Sequence, residues 1–170
     1  MKVQKSNLTK LCSFYVSDWH LVTMLLPYIN RKINEQAKIA TILEKDIQEN
    51  IKVLLEKLNL KNKEKIEKIN WTREEKINVF NDIENSKEII IIINGGKEFI
   101  ENKNKKIEKY LETHEINRKI KIINCYEVIE YNGSISDVLE KHDMVLNTSG
   151  EREISEIFGD YEDKEKLKAI

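Results

Sequence analysis

The hydrophobic pattern is clearest at Ile89 to Ile93, five consecutive isoleucines running from Glu88 into Asn94-Gly95-Gly96-Lys97. An unbroken β-branched run offers water no polar face, so it predicts a central parallel strand covered on both sides. The turn after such a strand lies at the carboxyl edge of the sheet, where open α/β folds place their ligands.

Taken in order, Leu11 to Val16 reads as a short strand. Ser17 and Asp18 then supply an N-cap and an acidic first turn for a helix whose Leu21, Met24, Leu25, Tyr28 and Ile29 recur at helical spacing. Pro27 cannot donate to the carbonyl of Thr23, which predicts a kink or local break there. Lys38 to Leu43 is a second strand, followed by a helix with an Ile51, Leu54, Leu55, Leu58 stripe and a polar connector from Asn59 to Lys65. A weaker strand is expected over Ile66 to Ile69, and Thr72 with Glu75 forms a capping-box pattern for a short helix to about Glu84. After the isoleucine strand a charged helix runs from Lys97 to about Thr113, with Phe99, Ile100, Ile107, Tyr110 and Leu111 inward. Lys119 to Val128 is the fifth strand. Asn132-Gly133 makes a turn, Ser136 caps a short helix through His142, Met144 to Leu146 is a sixth strand, and the last twenty residues read as helix or tail. This alternation predicts a three-layer, doubly wound α/β fold with a mainly parallel sheet of five to six strands, RecA/KaiC-like or Rossmann-like. Residues 1–165 are read as one domain and 166–170 as a C-terminal tail.

The chain has 170 residues, the size of a single domain with its own core. Its 29 basic and 30 acidic side chains cancel to a net charge of −1, which argues against a partner bound by phosphate neutralisation. No window approaches the roughly 18 apolar residues of a membrane span, and Met1 to Lys10 lacks the apolar core of a signal peptide, so a cytoplasmic location is expected. Cys12 and Cys125 form no CxxC pair and read as thiols.

Neither a GxxxxGK(S/T) phosphate loop nor a GxGxxG fingerprint is present. Asn94-Gly95-Gly96 before a helix could present amides to an anion, or could be a tight turn that needs glycine for backbone reasons. Cys12 and Cys125 read either as small buried hydrophobes or, on neighbouring strands, as a pair for metal, redox or covalent sensing. Trp19 and His20 follow the first strand, in pocket territory, and Trp71 could border the same cleft. No nucleophile-base-orienter set declares itself, and no cofactor is indicated.

Leu11-Cys12-Ser13-Phe14-Tyr15, then Leu21 and Leu26-Pro27-Tyr28-Ile29, resemble the opening of the MEDS domain, the sensory domain described in methanogens and methylotrophs. Ile123-Asn124-Cys125-Tyr126, Asp137-Val138-Leu139 and His142 resemble its closing pattern; the Asn70-Trp71 corner and the Gly96-to-Ile100 turn are compatible with it. The chain departs from the family at Thr9-Lys10, where a histidine is frequent, and within Arg31 to Gln36, where a glycine is usual. The resemblance implies a KaiC- and RecA-like fold without a working phosphate loop. It also implies sensing of a small molecule, with output through a signalling partner.

The implied strand order puts the first strand between the fourth and fifth, so that Cys12 and Cys125 become neighbours. The expected ligand then enters over the carboxyl edge, meeting Tyr15, Trp19 and His20 from one side and Tyr126 and His142 from the other. Asn94, Gly95 and Gly96 form a wall, and the two cysteines lie beneath. The leading expectation is thus a non-catalytic sensory or ligand-binding domain with a possible homo-oligomeric state, and without nucleic-acid or membrane partners. An enzyme working through a nucleotide or thiol, or an interaction module with a vestigial pocket, are the alternatives.

Overall fold

A computed structural model describes residues 7–73, 79–130 and 135–158. Strand β1 (Leu8–Tyr15) leads into helix α1 (Asp18–Asn34), followed by β2 (Ala37–Leu43), α2 (Gln48–Lys57) and α3 (Lys63–Glu67). Next come β3 (Glu88–Asn94), α4 (Lys97–Thr113) and β4 (Lys119–Glu127). Helix α5 (Ile135–Leu139), β5 (Met144–Asn147), β6 (Gly150–Glu153) and the short α6 (Ile154–Ile157) close the described chain. The six strands form one sheet in the order β2-β3-β4-β1-β5-β6, parallel except for β6. With helices on both faces, this is a three-layer α/β fold.

The isoleucine run explains the layering. Along β3, Ile90 and Ile92 join the core beneath α1 and α2, whereas Ile89, Ile91 and Ile93 join the core beneath α4 and α5. All five are fully buried. Period-2 geometry sends successive side chains to opposite faces, and only a strand covered on both sides can bury five in a row. Ser17 caps α1, its hydroxyl accepting from the His20 backbone N–H at 3.2 Å.

The strand order has a switch point between β1 and β4. The connection leaving β1 runs through α1 on one face of the sheet, while that leaving the adjacent β4 runs through α5 on the other. Neighbouring strands whose outgoing connections diverge define the switch point at which open α/β sheets bind ligands.

Several expectations need correction. Ile66 to Ile69 is not a strand: residues 63–67 form α3, with Ile66 fully buried. Two isoleucines three apart among lysines and glutamates match helical neighbours, and here the helical period prevails. Removing that strand from the count moves β1, which lies between β4 and β5 and not between the isoleucine strand and β4. Helix α1 runs unbroken through Pro27, which sits on its exposed face. Ser136 lies inside α5, which ends at Leu139, and residues 150–153 form an antiparallel edge strand where helix or tail was expected. The middle of the Thr72 capping-box helix, the Asn132-Gly133 turn and residues 159–170 lie outside the described residues; Val79 to Asp82 are turns.

Ile91→Ala should cost about 2–5 kcal/mol, because it opens a cavity in a layer with no room to collapse. Ile129→Ala, at a side chain 78% exposed, should change stability by less than about 0.5 kcal/mol. Denaturant midpoints of the two variants check the contrast.

Candidate functional site

At the switch point, the ends of β1, β3 and β4 bring Tyr15, Asn94 and Cys125 onto one face. Asn94 is fully buried, and its Nδ2 donates to Tyr15 Oη at 2.7 Å and to the Cys125 carbonyl at 3.2 Å. A flipped amide would aim oxygen at that carbonyl, so the orientation is set. Its other end, Oδ1, is the one buried side-chain polar atom without a partner among the described residues. Orphaned buried acceptors are uncommon enough in folded proteins to require an explanation. Tyr15, only 2% exposed, accepts from Asn94, and no acceptor among the described residues takes its hydroxyl proton. Burial pushes that phenol above its ordinary pKa, so it remains a donor at neutral pH. An unused donor and an unused acceptor thus sit on two neighbouring side chains.

The glycine turn beside them is already filled. Glu44 follows β2, its backbone N–H donates to the Asn94 carbonyl at 2.9 Å, and its Oε1 accepts from the Gly96 N–H at 2.7 Å. A Cβ on Gly95 would lie 2.5 Å from a Phe99 ring carbon and 2.8 Å from Glu44 Oε1. Glycine is therefore required by close packing. The amino end of α4 holds a carboxylate from its own chain, where a negative charge is favoured by the orphan amides and the helix dipole.

On the opposite face, Asn104 of α4, Asn124 of β4 and His142 form a buried chain. The two asparagine amides bond reciprocally at 2.8 and 3.1 Å, Asn104 Nδ2 also donates to the Ile100 carbonyl, and Asn124 Nδ2 reaches His142 Nε2 at 3.0 Å. His142 Nδ1 lies 2.6 Å from the Val138 carbonyl, which can only accept, so Nδ1 carries the proton and Nε2 accepts from Asn124. Burial lowers the imidazole pKa to about 4. His142 is neutral with both nitrogens engaged, which suits a structural lock between β4 and α5 better than a base. A cavity of about 280 Å³ lies over this chain between α4 and α5, and Tyr126 contributes to its wall.

The cysteines do not meet. Ser13, not Cys12, pairs with Cys125 in the β1–β4 register, so the two thiols project from opposite faces and join different cores. Both are fully buried, and burial pushes Cys12 up to about 12 and Cys125 higher still. The paired-thiol reading is therefore overturned. Trp19 is 49% exposed at the start of α1, and His20 Nδ1 accepts from the Val16 N–H at 3.0 Å. Trp71 belongs to the core, its indole N–H donating to the Ile66 carbonyl at 2.9 Å, and does not border a cleft with Trp19. Among the described residues no group of three or more His, Cys, Asp or Glu could hold a metal ion.

Of the expected residues, Tyr15, Asn94 and Cys125 gather on one face, with Gly95 and Gly96 in the adjoining turn; Tyr126 and His142 gather on the other. Sequence reasoning missed Glu44, Asn104 and Asn124. Asn124 carried a legible signal, being an amide set inside the apolar run of a buried strand. Comparison with protein-family models, curated proteins and solved structures finds no match to this chain.

A disulfide-exchange reagent should find no reactive thiol in the native protein and two after denaturation. Stability should fall as pH drops from 6.5 towards 4. In that window the unfolded histidine binds a proton that buried His142 refuses, so the contribution is complete above 6.5 and lost as pH falls, by about 3 kcal/mol in all. His142→Gln should flatten that slope in thermal melts recorded across the range.

Proposed function

We propose that this chain is a non-catalytic sensory domain of the MEDS type, which takes a small molecule at the carboxyl edge of the sheet and reports it to a protein partner. The observation that carries this reading is the orphaned Asn94 Oδ1 beside the uncommitted Tyr15 hydroxyl, at the switch point of the sheet. The pairing of β1 with β4 is compatible with it, although β1 lies between β4 and β5 and not beside the isoleucine strand as the implied order had it. The Glu44 carboxylate on the Gly96 amide supports it, taking the place a phosphate would need. Against an enzyme stands the condition of His142, neutral and bonded at both nitrogens.

A second reading has its own support. Three of the five exposed large hydrophobic residues among the described ones, Val16, Trp19 and Ile129, come from segments that follow the adjacent strands β1 and β4 at this same edge. Such a patch suits contact with a protein partner, the output step of the sensory reading or the sole role of an interaction module.

Native mass spectrometry of the freshly purified protein tests the proposal. The expected result is a retained small molecule that is lost in Tyr15→Phe and in Asn94→Leu while both variants keep their fold. A ligand at a hundredfold its dissociation constant should stabilise the native state by about 2.7 kcal/mol. Wild-type protein with no adduct, and no thermal shift across a panel of small neutral amides and alcohols, would overturn the reading.

A further inference from the structure

We infer a second binding site, at the amino edge of the sheet, for a small molecule carrying two or more anionic groups. A cavity of about 630 Å³ opens there, lined by five cationic side chains and two acidic ones, on a chain whose net charge is −1. The cations divide into two sets with different work.

Lys32 of α1 and Lys121 of β4 form the first set. Lys32 pairs with Glu88 at 3.4 Å and with Glu151 at 3.5 Å; Lys121 pairs with the same two carboxylates at 3.3 and 2.8 Å. This closed ring of two lysines and two glutamates is largely shielded, with side-chain exposures between 10 and 18%. Glu35, the other acid lining the cavity, also contacts Lys32, at 3.3 Å. Both acids of the cavity wall are thereby committed to ring lysines.

Lys87, Arg118 and Lys119 form the second set, and none has a carboxylate partner among the described residues. Pairing of Glu88 with Lys119 across β3 and β4 sets Lys87 beside Arg118 at the strand ends. Arg118 is also held in place: its Nε donates to the Ser86 carbonyl at 3.0 Å and one terminal nitrogen donates to the Glu84 carbonyl at 2.9 Å. Neutral carbonyls orient the guanidinium without cancelling its charge, and its remaining N–H groups have no partner among the described residues. Asn7 and Asn117 add amide groups to the same wall. Three uncompensated cations, one of them preoriented, on the wall of a cavity are what a phosphate or carboxylate ligand with several charges requires. The site is separate from the carboxyl edge, so it does not depend on the sensory reading.

Isothermal titration at low ionic strength with inorganic pyrophosphate and, separately, citrate tests the inference. Expected is a dissociation constant below about 1 mM for at least one of them, weakening as salt is added. Lys87 and Lys119 are exposed, so Lys87→Gln/Lys119→Gln should fold normally and bind roughly tenfold more weakly or worse. Arg118→Gln should behave likewise, whereas Lys97→Gln/Lys105→Gln, near the other cavity, should bind as wild type. Preference for pyrophosphate or for citrate tells a phosphate ligand from a carboxylate one. The inference is overturned by absence of binding to both, by equal loss in the Lys97/Lys105 variant, or by binding of single-stranded nucleic acid alone.

Discussion

Register between β1 and β4 is the constraint on which the chemistry of this protein depends. Parallel pairing of Ser13 with Cys125 puts Tyr15 and Cys125 on the α1 face, and Cys12, Asn124 and Tyr126 on the α4 face. A slip of β1 by one residue would exchange the faces of its own side chains, bringing Cys12 to the face of Cys125 and taking Tyr15 away from Asn94. With both faces covered, bonds specific to one face mark the register: Ser13 donates to the Leu146 carbonyl at 2.8 Å and Asn94 donates to Tyr15 at 2.7 Å, and a slip of β1 would break both.

This dependence explains how much could be read beforehand. The layered fold was legible because the isoleucine run, the amphipathic helices and the Ser17 cap are local signals of burial and chain direction. The neighbourhood of β1 and β4 was legible from the resemblance, but the parity within it was not. Knowing that Cys12 and Cys125 lie on adjacent strands says nothing about whether they share a face. Ile66 and Ile69 misled although their spacing of three is helical and would put them on opposite faces of a strand. The edge strand at Gly150 to Glu153 had no apolar alternation to reveal it, because as a short charged edge its burial is slight.

The two ends of the sheet differ in their electrostatics although the chain as a whole is nearly neutral. At the amino edge, lysines and glutamates close into a shielded ring, and three further cations have no carboxylate partner among the described residues. At the carboxyl edge, at the switch point, the groups left without a partner among the described residues are a phenol proton and an amide oxygen. Net charge averages these regions away, which is why composition could argue against a basic partner surface and still miss a local excess.

In the proposed sensory reading, Glu44 limits what the carboxyl edge could recognise. The amides at the amino end of α4 are the nearest natural seat for an anion, and Glu44 both occupies that seat and adds its own charge beside Asn94. An incoming carboxylate or phosphate would have to displace a tethered competitor and then face an amide oxygen that can only accept. A neutral group that accepts from Tyr15 and donates to Asn94 meets neither obstacle. The glycine turn, read from sequence as either an anion cradle or a tight turn, is filled from within by Glu44, which in the sensory reading would set it against anions.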